Sequence, residues 1–61
     1  MVLVTSWYCG GQARKVYNSV EEAVFALKAM GARYDFTEQH WVLTNADVYG
    51  NEAYFEITQL S

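Results

Sequence analysis

"SVEEAVFALKAMG", Ser19 to Gly31, is the stretch of this chain with a clear helical period, and its reading decides the fold. Ser19 and Glu22 have the spacing of a capping box: the serine hydroxyl can accept from the Glu22 amide while the Glu22 carboxylate reaches back to the Ser19 amide. Glu21 and Glu22 suit the positive end of the helix dipole, and Lys28 suits the negative end. Val20, Ala23, Val24, Leu27 and Met30 fall within about 120° of a helical wheel turned roughly 100° per residue, so they form the expected buried stripe. Gly31 takes the left-handed position that ends a helix. Phe25 lies off the stripe, a large apolar side chain expected on the wetter face.

On both sides of this helix the pattern is that of strands. Val2 to Cys9 and Arg14 to Tyr17 are rich in β-branched and aromatic residues, with Gly10-Gly11 between them. A two-residue Gly-Gly turn, with both positions at positive φ, pairs Trp7 with Arg14 and Thr5 with Val16, and makes Trp7 and Arg14 a cation–π pair. After Gly31, Ala32, Tyr34 and Phe36 alternate with Arg33, Asp35 and Thr37. A turn at Glu38-Gln39 then sets Phe36 opposite Trp41 and Tyr34 opposite Leu43, all on one face. In the last strand Ala53, Phe55 and Ile57 face one way, and Tyr54, Glu56 and Thr58 the other. Asp47 opening a type I turn, with Gly50 in the left-handed position, sets Leu43 opposite Phe55 and Trp41 opposite Ile57.

The expected fold is α+β: a two-layer β-β-α-β-β-β domain over residues 1–61, with one helix packed on a mainly antiparallel five-stranded sheet. Its strand order is 2-1-3-4-5 if strand 3 docks on strand 1, or 1-2-3-4-5 if it docks on strand 2. Tyr34, Phe36, Trp41 and Phe55 are the expected core beneath the helix. Sixty-one residues, of which 16% are aromatic, make a single domain that relies on large side chains to build a core.

One cysteine forms no internal disulfide, which suits a reducing compartment. "MVLVTS" lacks a basic n-region, and no apolar run approaches the roughly 20 residues of a membrane span. The expectation is a cytoplasmic protein without a membrane partner. Its net charge of −3 is unevenly spread. Arg14, Lys15, Lys28 and Arg33 all precede Tyr34, whereas Asp35, Glu38, Asp47, Glu52 and Glu56 follow it with no lysine or arginine among them. An acidic half disfavours contact with phosphates and favours a basic partner.

Candidates for chemistry are few. Cys9 at a hairpin tip and His40 beside another turn are not brought together by spacing, and no oxyanion turn follows. Asn45, Asp47, Gly50 and Glu56 match positions 1, 3, 6 and 12 of a calcium loop, but Tyr49 occupies the fifth position and the flanks are strands, not helices. Turn geometry explains Asp47 and Gly50 without an ion. No phosphate loop, dinucleotide fingerprint or zinc ligand set is present, so the expectation is a protein that is not an enzyme and holds no cofactor or metal.

A binding module remains, with Asp35, Glu38, Asp47, Tyr49, Glu52, Tyr54, Glu56 and Phe25 as the candidate contact residues. The expected partner is a larger, basic protein or nucleoprotein complex. Two alternatives stand beside it. One is a homodimer or other homo-oligomer, a structural or regulatory domain built through free strand edges and Phe25. The other is a weak nucleic-acid binder using Trp7, Tyr8, Arg14 and Lys15 of the first hairpin, although the acidic half argues against direct nucleic-acid binding. The "SVEEAVFALKAMGA" helix between a Gly-Gly hairpin and acidic strands resembles the layout of small phage and mobile-element proteins, including anti-CRISPR inhibitors. This resemblance of layout and composition covers most of the chain. It implies a stoichiometric inhibitor whose Asp35, Glu38, Asp47, Glu52 and Glu56 occupy a basic nucleic-acid groove of a host nuclease complex.

Overall fold

A computed structural model describes residues 1–8 and 10–60. The reading of Cys9 as a non-catalytic thiol at the hairpin tip lies outside the described residues. The elements follow the expected order: β1 (Val2–Tyr8), β2 (Gly11–Tyr17), α1 (Val20–Ala29), β3 (Arg33–Asp35), β4 (His40–Leu43) and β5 (Ala53–Gln59). Ser19 caps α1 by accepting from the Glu22 amide at 3.2 Å. At the other end Gly31, with φ +96°, donates to Lys28 O at 3.0 Å while the Ala32 amide donates to Leu27 O at 3.0 Å. These two bonds define a Schellman motif, and they carry Ala32 into the core beside Leu27.

All four strand pairs are antiparallel, and the sheet order is β2-β1-β5-β4-β3. Neither expected order is correct: β5, not β3, lies against β1. The helix leaves the β2 edge and delivers the chain to the far edge, from which β3, β4 and β5 step back inward. The seven-residue β5 then pairs with the equally long β1, and both contribute apolar rows to the covered face. That face holds Val2, Val4, Ala53 and Phe55 beneath Ala23, Leu27 and Ala32, with Tyr17, Trp41, Leu43 and Ile57 packed around them. The buried helical stripe is narrower than expected: Ala23 and Leu27 are buried, but Val20 and Met30 at the two ends are exposed.

Each of the three hairpins differs from the expected register by two residues. Trp7 pairs with Gln12 and Thr5 with Arg14, so the Trp7–Arg14 contact does not form. Only Gly10 of the glycine pair has positive φ, since Gly11 already belongs to β2. In the second hairpin Tyr34 pairs with Trp41 and Asp35 with His40. The Asp35 side chain accepts from the Thr37 and Glu38 amides at 2.9 and 3.2 Å, and its carbonyl accepts from Gln39 N at 2.7 Å. This aspartate turn draws Phe36 out of the ladder. In the third, Leu43 pairs with Ala53 and Trp41 with Phe55. The expected Asp47–Gly50 turn forms, with Gly50 at φ +79° and its amide donating to Asp47 O at 3.2 Å. Below it, an Ala46 N–Asn51 O bond leaves one extra residue on the β4 side, which Asn45 absorbs at φ +54°. A slip of two leaves every side chain on its expected face.

Candidate functional site

The helix packs over β1, β2 and β5 on one face of the sheet, so the other face is bare. Strand alternation and the observed registers place Gln12, Trp7, Tyr54, Val42 and Arg33 in one cross-strand row there. A neighbouring row runs Arg14, Thr5, Glu56, and Thr5 is only 8% exposed between its two longer neighbours. His40 and Asp35 are paired farther along the same face.

Tyr54 is the best-fixed side chain of this surface. Its hydroxyl donates to Glu52 Oε1 at 2.9 Å, and the His40 ring meets it edge-on at 4.9 Å and 79°. The hydrogen bond to Glu52 first, then the Glu52 charge, burial and the more distant charge of Glu38 hold the phenol above its ordinary pKa of 10.0. The His40 Nε2 is closed off and has no hydrogen-bond partner among the described residues. Beside Tyr54, toward the β1–β2 end, Trp7, Tyr8, Asn51, Glu52 and Tyr54 line a cleft of ≈ 390 Å³.

Of the candidate contact residues, Glu52, Tyr54 and Glu56 lie together on this bare face, and the charge of Glu38, in the β3–β4 turn, is near enough to act on Tyr54. Two other acids are occupied by turns. Asp35 holds the β3–β4 turn, as described above. Asp47 accepts from Tyr49 N at 2.8 Å, Asn51 N at 3.1 Å and Asn51 Nδ2 at 2.9 Å. These bonds, that from the Asn51 side chain foremost, hold its carboxyl below the ordinary 3.8. The Asp47 contacts also position Asn51, which lines the cleft. Tyr49 projects from the tip of the same loop. Phe25, 76% exposed, lies in the other layer, in a shallow groove with Val20, Glu21, Val24 and Lys28, apart from Glu52 and Glu56.

Sequence reasoning assigned Trp7 to the first hairpin alone. Its place beside Tyr54 follows from the β1–β5 pairing, which no local pattern announces; the matching seven-residue apolar strands were the available signal. Arg14 and Lys15 point to opposite faces, and the Lys15 ammonium lies 5.2 Å from the Tyr17 ring centroid on the helix side. The hairpin therefore offers no joint basic surface around Trp7.

Among the described residues, no group of three or more His, Cys, Asp or Glu is placed to hold a metal ion, and no helix is long and apolar enough to cross a membrane. No family model, curated protein or solved structure matches the chain.

Proposed function

We propose that this protein is a non-enzymatic binding module that lays its bare sheet face on a basic surface of a larger protein, as a stoichiometric inhibitor does. The observation that carries this reading is the pairing of Trp7 with Tyr54 on an uncovered face whose carboxylates, Asp35, Glu52 and Glu56 with Glu38 nearby, outnumber its two arginines, Arg14 and Arg33. Tryptophan and tyrosine bring large contact area at small entropic cost, and the carboxylates steer a cationic partner. Direct binding of nucleic acid has less support, because the same carboxylates repel phosphate. Self-association through the free β2 edge has less support as well. Pairing β2 with its own copy would crowd the Arg14 and Lys15 of both chains, an arrangement that protects edges from such contacts.

The test is photo-crosslinking in native lysate, with a benzoylphenylalanine at Thr58 on the bare face or at Ala29 on the helix. Thr58 is expected to crosslink one protein species, and the yield to collapse when Glu38, Glu52 and Glu56 are all replaced by Gln. Crosslinks from Ala29 alone, or an undiminished yield from the triple variant, would overturn the proposal.

A further inference from the structure

The cleft at the Trp7 end of the bare face has the composition of a receptor for a single cation. Among the described residues, three aromatic side chains, Trp7, Tyr8 and Tyr54, line it together with one carboxylate, Glu52, and one amide, Asn51. None of the four basic residues reaches it, so the Glu52 charge is not neutralised within the cleft. An ionised carboxylate offers about four acceptor positions. Tyr54 takes one of them, leaving acceptor capacity for an incoming donor.

The walls are fixed before any ligand arrives. Glu52 is tied to the Tyr54 hydroxyl at 2.9 Å, and Tyr54 is braced by the edge of His40. Asn51 is tied to the Asp47 carboxylate through both its side chain and its backbone amide. Trp7 is set by the β1–β5 ladder directly opposite Tyr54. Trp7 and Tyr54 are both 38% exposed, so each presents part of its ring to the cleft.

The same chemistry excludes other occupants. An anion would meet Glu52, with Glu38 close enough to act on Tyr54. A wholly apolar group would desolvate Glu52 without giving it a partner, which is costly. An alkylammonium or guanidinium satisfies both features, since aromatic faces attract cations and the carboxylate accepts their N–H groups. The ≈ 390 Å³ volume is at the small end for ligand sites, which suits one side chain and not a large cofactor.

We infer that the Trp7–Tyr54–Glu52 cleft is a binding site for one lysine or arginine side chain of a partner protein. This rests on the bare face being the protein-binding surface, but it can be tested without the partner. The two tryptophans make the measurement self-controlled: Trp7 belongs to the cleft, and Trp41 packs against the core on the other face. The probes are Ac-Gly-Arg-Gly-NH2 and Ac-Gly-Lys-Gly-NH2, with Ac-Gly-norleucine-Gly-NH2 as the uncharged control. Indole N–H signals are followed by ¹H–¹⁵N NMR at low salt.

The Trp7 indole is expected to shift saturably with the cationic probes and not with norleucine, while Trp41 stays in place. Glu52→Gln is expected to weaken the response about ten-fold, as is Tyr54→Leu, with Trp41 reporting that each variant remains folded. An equal response to norleucine, no saturable shift at Trp7, or an unchanged affinity in Glu52→Gln would each overturn the inference. Failure here with successful crosslinking from Thr58 would leave the binding face standing and remove only the cation site.

Discussion

Phe55 and Phe36 belong to alternating apolar rows with the same local pattern, yet one is 4% exposed and the other 84%. The difference has two causes: the Asp35 turn takes Phe36 out of the ladder, and nothing covers the corner where it then lies. A ten-residue helix is about 15 Å long, whereas five strands at about 4.8 Å spacing form a sheet roughly 20 Å wide. The helix therefore covers β2, β1 and β5 and leaves the β4–β3 corner open. Trp41 stands at the boundary, half-buried, and from it an aromatic series runs outward into solvent. The Tyr34 ring lies 5.5 Å from Trp41, and Phe36 lies 4.9 Å from Tyr34. Edge-to-face contacts of this kind stabilise neighbours by about 0.5–1.5 kcal/mol each without a roof over them. Alternation identifies the face on which a residue stands; the reach of the helix determines whether that face is dry.

The sharpest way to break this comparison is to truncate both rings. Phe55→Ala should cost about 3–5 kcal/mol in urea unfolding, since it opens a cavity under the helix. Phe36→Ala should cost only about 0.5–1.5 kcal/mol, the worth of its edge contact with Tyr34. Comparable losses at the two positions would mean that the β4–β3 corner is covered after all.

A smaller effect tests the joint between the two regions. Gly31 ends the helix at φ +96°, and a Cβ there would meet only Leu43 Cδ1 at 3.8 Å. The cost of Gly31→Ala is therefore one of backbone conformation, about 1–2 kcal/mol, read as a lowered thermal midpoint. Gly31→Asn, which tolerates this conformation better, should recover part of the loss.

The smallest effect is confined to the β4–β5 loop of the open region. The folded Asp47 carboxyl has a depressed pKa, so its contribution is present above the ordinary 3.8 and is lost as the pH falls through the folded value. Because the group is exposed, the effect is screened. Amide protection at Tyr49 and Asn51, taken relative to the intrinsic exchange rate at each pH, should fall only at pH below the ordinary 3.8, and Asp47→Asn should flatten that dependence. An acid response spread evenly over β1 and β2 would count against a local origin.

Much of this architecture is legible in local residues, for reasons that are themselves local. Ser19 and Gly31 bracket the helix because a cap and a left-handed terminus need only the neighbouring turn. Asp47 and Gly50 make their turn because both hydrogen bonding and positive φ arise within four residues. The face of each strand residue is legible too, since the side-chain period of two survives any slip by an even number. Register is less accessible. It shifted by two at all three hairpins because turn details decided it: Gly11 entering β2, the Asp35 side chain drawing in residues 36–39, and Asn45 absorbing an extra step. The candidate site was half legible for the same reason. Tyr54, Glu52 and Glu56 share one strand and its approach, so their relation is local. Trp7, nearly fifty positions earlier, joins them only through the β1–β5 ladder.

By itself the sequence determined the number and kind of elements, the ends of the helix, the face of each strand residue and the acidic character of the second half. These properties depend on interactions spanning a few residues. Only the tertiary structure decided that β5 occupies the place beside β1, that the β4–β3 corner is left uncovered, and that Glu52 faces an aromatic cleft completed by Trp7. Those outcomes depend on how far a short helix can reach across a wide sheet, and on which distant strands of equal length meet. Both are properties of the assembled chain.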